Sequence, residues 1–190
     1  MDRKDDGTDK WIEAGLAELA DGGVGRVRVE VLAERLGVTK GGFYRRFKDR
    51  RALLDAILDT WSRGRIAAIK QQTALGDASP GERLTAVIQL YSGPINERGM
   101  AIELAIRQWA RADKVAALAV GRVDNQRLTN VRSLYRKMGL TADQARARAV
   151  LFYSFLFGQS LLVFEPAPRL RADLIAACAD VLTKAEPNRS

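Results

Sequence analysis

Apolar residues recur every three or four positions along almost all of this 190-residue chain, and the alternation expected of a half-buried strand is nearly absent. That pattern restricts the chain to an all-α fold of packed amphipathic helices. Breaks in the pattern divide it into about nine helices. Thr8 is expected to cap the first, whose apolar face is Ile12, Leu16, Leu19 and Ala20, and "DGGVG" at 21–25 ends it. A second helix is expected over 29–36, closed by Gly37 in the left-handed position that favours glycine. Thr39 is placed to cap a very short third helix, and Asp49 a fourth running to about residue 72. "LGDASPG" at 75–81 reads as a loop. Helices at about 81–91, 100–110 and 112–138 follow, with "SGP" at 92–94 as a break. "TADQ" at 141–144 has the capping-box pattern and opens a helix to about Phe164. "EPAP" stops that helix, a last one covers about 169–184, and the tail "EPNRS" frays.

Several function classes drop out on residue content. There is no histidine and one cysteine, Cys178. The commonest general base and metal ligand is missing, so no metal or cofactor site is expected, and catalysis is disfavoured. No phosphate loop, nucleophile elbow or dinucleotide fingerprint is present. The most apolar run, Ala149–Phe164, has 16 residues. A bilayer span needs roughly 20, so this reads as a buried helix. The N-terminus has no apolar stretch of the secretory kind, and a cytoplasmic location is expected. Cys178 reads as a small buried apolar residue.

The stretch "VTKGGFYRRF" at 38–47 points to a partner. Two glycines in a first turn each cost a helix about 1 kcal/mol relative to alanine. Phe43 and Phe47 are four apart and share one helix face; the opposite face carries Gly41 and Arg45, flanked by Gly42 and Tyr44. The phenylalanines are expected to dock the short helix, leaving the glycines on the exposed side for close backbone approach. Residues 35–51 hold seven Lys or Arg against one acid, whereas residues 1–60 as a whole sum to zero. Lys40, Arg45 and Arg46 supply cations and Tyr44 a hydroxyl. Focused charge on a short docked helix reads as a helix-turn-helix entering the major groove of double-stranded DNA. The competing reading is an all-α enzyme or small-molecule carrier, in which that charge focus has no role.

At "VRVEVLAERLGVTKGGFYRRFKDRRALLDAIL" the chain resembles the tetracycline-repressor (TetR) family of bacterial transcription regulators. Leu32, Ala33, Gly37, Val38, Thr39, Lys40, Gly41, Phe43, Tyr44, Phe47 and Leu53 fit the family pattern in type and spacing. The resemblance implies that Thr39, Tyr44 and the cation at Arg50 hold phosphates, and that Lys40, Gly41, Gly42 and Arg45 face the bases. Three positions depart from the pattern: Arg46 replaces a histidine, Arg50 a lysine and Arg28 a threonine. Each swap keeps or adds a cation, as does Lys48 nearby. The resemblance further implies a homodimer on a palindromic operator and a regulator, most often a repressor, that answers to a small-molecule effector. The division expected is a DNA-binding domain at 1–48 and an effector-binding and dimerisation domain at 49–190, with helix 49–72 connecting.

The larger body supports dimerisation on its own residues. A helix apolar almost all round is buried on both sides. Its stripe Ala147, Leu151, Ser154, Gly158, Leu161 contains small residues that admit another helix, and the last helix offers Leu174, Ile175, Cys178, Val181 and Leu182; the alternative is that both helices pack inside one subunit. Tyr91, Met100, Trp109, Phe152 and Phe155 could line an effector pocket or be plain core. Residues 107–148, Arg107 among them, hold ten basic and three acidic residues. These could meet an anionic effector or form a solvated helix face.

Overall fold

The computed structural model describes residues 6–73, 77–92, 97–162 and 168–184. Among them are nine α-helices, one short 3-10 turn at Val24–Arg26 and no strand. The helices are α1 (Asp6–Gly22), α2 (Val29–Leu36), α3 (Lys40–Tyr44), α4 (Arg50–Thr73), α5 (Pro80–Ser92), α6 (Glu97–Ala110), α7 (Lys114–Lys137), α8 (Ala142–Gly158) and α9 (Pro168–Thr183). None is long and apolar enough to cross a membrane. The expected break at Gly93–Pro94, the residues Glu165–Ala167 and the tail 186–190 lie outside the described residues, as do Leu75 and Gly76 of the expected loop.

The chain divides into two compact units, residues 1–65 with 98–123 and residues 66–97 with 124–190. In the first, Gly15 of α1 lets α4 come close: a β-carbon there would lie 2.5 Å from Ile57 Cδ1. Glu18, 3% exposed, ties three elements together. Its carboxylate accepts from Arg26 Nε at 2.9 Å and Arg35 Nη1 at 2.7 Å. Those contacts, Arg35 first, hold its pKa below the ordinary carboxylate value. Gly37 adopts φ 64° and ψ 32°, ending α2 with its N–H on Glu34 O and the N–H of Val38 on Ala33 O. α1 already covers Thr8, so that residue does not start the helix.

In the second unit, α5, α8 and α9 pack around Leu84, Ile88, Tyr135, Phe152 and Leu156, each at most 1% exposed. Thr141 and Gln144 form the expected capping box. Tyr135 Oη donates to Leu182 O of α9 at 2.7 Å, and burial pushes its pKa up to about 12. α8 stops at Gly158, six residues before the expected Phe164. The reason is local: Ser160 Oγ donates to Phe157 O at 2.6 Å, and the N–H of Leu161 turns back to Gly158 O. Such bonds compete with helix continuation.

The start of α4 is fixed within the first unit by one ion pair. Arg51 Nη1 donates to Asp113 Oδ2 at 2.5 Å, and Asp113 Oδ1 accepts from the N–H groups of Val115 and Ala116 at the head of α7. Arg51, then those amides, hold the Asp113 carboxyl down to about 2 from an ordinary 3.8. A depressed folded pKa gives stability that is complete above the unfolded value and fades as pH falls through the folded one. Asp113→Asn is expected to cost about 1 kcal/mol at pH 7, because the half-exposed Arg51 is screened by water. The difference between variant and wild type should shrink from pH 4 to pH 2 in urea unfolding followed by circular dichroism; a constant difference excludes the assigned role.

Candidate nucleic-acid interface

α3 has five residues, too few to hold a helical conformation unaided. Its order comes from packing. Phe43 has no exposed surface; its ring lies 5.3 Å from that of Trp11, edge-on, and 5.4 Å from that of Phe47. With Phe43 inward, Gly41, Tyr44 and Arg45 turn to solvent, and Tyr44 is 60% exposed. Next to Gly41 there is only the Thr39 hydroxyl, 3.7 Å from where a β-carbon would stand. Thr39 occupies the N-cap position with extended backbone, but its hydroxyl makes no capping bond. The sequence expectation of a side-chain cap is thereby corrected; the hydroxyl faces outward with Thr39 itself exposed.

The expected cations differ in their commitments. Lys40 Nζ pairs with Glu30 Oε1 at 2.9 Å, both side chains more than half exposed. Arg46 Nη1 donates to Gly42 O at 3.2 Å and lies over Gly7 of α1. Arg28 is the exposed residue preceding α2. Arg45 and Lys48 are exposed, and their side chains make no hydrogen bond or ion pair with another described residue. Arg50 differs from all of these: Nε donates to Val27 O at 2.5 Å and Nη2 to Val24 O at 2.6 Å. Its fork closes the 3-10 turn between α1 and α2, and its side chain is only partly exposed.

Gly42 is not where its spacing suggested. It is buried, and a β-carbon there would meet Trp11 Cζ2 at 3.9 Å. The cause is the angular position of Gly42: it adjoins Phe43 on the side where α1 presents Trp11, so only Gly41 keeps an open face. Trp11 was missed by sequence reading, although it lies one residue before the Ile12 stripe. Lys10 was missed as well. It lines, with Thr39, Gly42, Arg45 and Arg46, a cleft of about 430 Å³ whose rim is cationic. Among the described residues no cluster of acidic or sulfur side chains could hold a metal ion.

Arg50→Gln is expected to destabilise the fold by about 1–2 kcal/mol, since two carbonyls lose charged donors. Urea unfolding of the variant against the wild type measures it; an unchanged midpoint would return Arg50 to the pool of cations available to a partner.

Residues 12–57 match the model of bacterial regulatory proteins of the tetR family. The match begins one residue after Trp11 and ends on Ile57, the α4 residue seated against Gly15. The HTH-type transcriptional regulator BetI of Pseudomonas aeruginosa is 29% identical over 141 residues, covering 73% of this chain and 71% of that protein. A transcriptional regulator from Rhodococcus sp. Rha1 superposes with a TM-score of 0.75 at 18% identity, over 93% of both chains. The transcriptional regulator FadR from Bacillus subtilis, solved in complex with stearoyl-CoA, superposes with a TM-score of 0.62 at 15% identity, over 92% of this chain and 95% of that one. The two structural likenesses concern the fold alone, whereas the family model falls on the docked α3 and its supports. Over residues 12–57 the chain is thus similar to the tetR family of bacterial regulatory proteins, and over most of its length to a transcriptional regulator.

Proposed function

We propose that the protein is an effector-responsive repressor that binds an inverted-repeat operator as a homodimer. The observation that carries this reading is the outward face of α3: an open Gly41, an exposed Tyr44 and an uncommitted Arg45 on a helix locked from behind by Phe43. Gly41 lets the backbone approach base edges, and arginine bidentate to guanine is the commonest specific contact. Thr39 and Tyr44 take phosphates, with Arg28, Arg46 and Lys48 around them; Lys40 reads a base edge after leaving Glu30. Gly42 and Arg50 support this surface from behind. Residues 1–48 form the DNA-reading domain in this scheme, and 49–190 the effector-binding and dimerisation domain, connected by helix 49–72.

Support for the dimer comes from apolar surface that the second unit leaves to water. Leu151, Leu161, Leu174 and Val181 are 44–73% exposed, and Ala147 and Ser154 are exposed beside them. Between α8 and α9 runs an apolar groove of about 290 Å³ lined by Gly158, Leu162, Leu174 and Cys178. Contiguous apolar surface of this kind marks an interface, and a second copy covers it on a two-fold axis. Two copies of α3 then read half-sites about one helical turn apart or somewhat more.

For the effector, the stearoyl-CoA held by the FadR neighbour offers one precedent for a small molecule in this fold. Of the residues expected to meet it, Tyr91, Phe152 and Phe155 belong to the second unit and Met100, Arg107 and Trp109 to the first. Phe152 is fully buried core, and Arg107 donates to Glu103 at 2.9 Å. Effector binding acts by population shift, favouring a spacing of the two α3 helices that no longer fits the operator.

A gel shift against DNA flanking the protein's own coding region tests the reading; failure of the wild type to retard it at low salt defeats it. Arg45→Ala is expected to cost about 1–3 kcal/mol and relax preference at one base pair per half-site. Tyr44→Phe should weaken all sequences about equally, since phosphate contacts position without specifying. Altered base preference in the tyrosine variant, or unaltered preference in the arginine variant, would reverse those roles.

Gly158 has nothing within 4 Å of a would-be β-carbon, so the fold of one copy admits a larger residue there. Gly158→Trp should therefore leave helix content intact while separating the copies. Sedimentation at micromolar concentration decides: dimer for the wild type and monomer for the variant are expected, and a monomeric wild type that binds a palindrome tightly would overturn the dimer.

A further inference from the structure

None of the residues lining the cleft between α1 and α3 is an acid. Three are cations, Lys10, Arg45 and Arg46, and all three are exposed. Cations gathered in this way repel one another, and an anion relieves the repulsion. Arg46 has donors to give. Its Nη1 donates to Gly42 O at 3.2 Å, and its side chain makes no other hydrogen bond or ion pair among the described residues. The head lies against the first turn of α1, where a β-carbon at Gly7 would fall on the guanidinium itself. Glycine leaves that place open. Lys10 follows Gly7 by three residues and so rises from the same face of α1.

Thr39 lines the cleft too, and its hydroxyl makes no capping bond. Thr39 and Arg45 belong to the outward face assigned above to DNA, so the cleft continues that face towards α1. When α3 fills the major groove, the far wall of the cleft is a helix that stands outside the groove. What passes there is the sugar-phosphate strand at the groove's edge. An ammonium beside a forked guanidinium suits a phosphate, since both are donors only and a phosphate offers several acceptor oxygens.

We propose that this cleft seats one backbone phosphate of each DNA half-site, with Lys10 Nζ and the unspent donors of Arg46 as its ligands. The inference rests on the DNA-binding reading above and adds α1 to the surface that meets the operator. Lys10 then contributes affinity without sequence preference, because phosphate contacts position without specifying. Gly7 is a positioning residue, through the space it leaves for Arg46.

The test measures binding of the full chain by fluorescence anisotropy over a series of KCl concentrations. One duplex is the retarded fragment from the coding-region flank, and the other a random sequence of the same length. Lys10→Gln should weaken both several-fold at low salt and reduce the slope of log affinity against log salt by about 1. Gly7→Ala, which pushes the guanidinium aside, should also weaken both. An unchanged slope for Lys10→Gln, or a loss confined to one sequence, overturns the proposal. A second measurement replaces phosphates of the retarded fragment singly by neutral methylphosphonates. At one position per half-site the wild type should lose affinity several-fold and the double variant Lys10→Gln/Arg46→Gln should not; equal losses in both proteins at every position overturn the seat. Inorganic phosphate, compared with chloride at equal ionic strength, should not raise the thermal midpoint of the wild type. A rise that the double variant lacks gives the cleft to the free ion and overturns the DNA assignment. Retarded DNA with Lys10→Gln indistinguishable from the wild type removes only the seat, whereas no retardation by the wild type removes the DNA-binding reading and the seat with it.

Discussion

The first unit's function depends on one fully buried ring, that of Phe43. A five-residue helix with two glycines has no stability of its own. Phe43, sandwiched between Trp11 and Phe47, supplies it from the other side. Everything proposed for the outer face follows from that anchoring. A helix held through one side can leave the other almost bare, and bareness is what Gly41 contributes. Had the helix needed its own propensity to persist, alanines would have served better and the backbone would stand further from any partner. The cost of two glycines is thus carried by tertiary packing, a different link of the chain from the one at which it arises.

Charge in this segment sorts by the same logic. Residues 35–51 carry a surplus of positive charge that a sequence count treats as uniform. Arg35 is spent on Glu18 and Asp21, Arg50 on two carbonyls of the 3-10 turn, and Arg51 on Asp113 and Asp55. Three of the seven cations therefore hold the scaffold, and they lie at its joints: α1 to α2, the 3-10 turn to α4, and α4 to α7. Arg45 and Lys48 retain exposed heads, and Lys40 has an exposed, exchangeable partner. Arginine suits the joints because its planar fork can satisfy two carbonyls or one carboxylate at fixed geometry.

How far the sequence could be read follows from the range of the interactions involved. Helix existence and most ends were legible because their causes are local: the Gly37 turn, the Asp49 bond to the N–H of Ala52, the capping box at Thr141. The inward set Ile12, Leu16, Leu19, Phe43 and Phe47 was legible from spacing alone. The placement of Gly42 was not, because it depends on which residue of a different helix, Trp11, fills the space beside it. Arg50 defeats a sequence reading for the same reason, since its carbonyl partners lie 23 and 26 residues away. The early stop of α8 came from serine and glycine signals that were present but were outweighed by the apolar run around them.

The second unit poses the opposite problem, apolar surface outside and charge inside. Leu161 and Val181 face water while Arg127 and Gln159 do not. Exposed leucines forgo roughly 25 cal/mol for each Å² left wet, a loss that a second apolar surface would recover. The guanidinium has given up its hydration, but it is met inside the unit by the rings of Tyr91, Tyr153 and Phe157 and by the Tyr91 hydroxyl. The charge is therefore compensated within one chain, from residues of three helices, whereas the exposed apolar side chains of α8 and α9 have no counterpart among the described residues of their own unit.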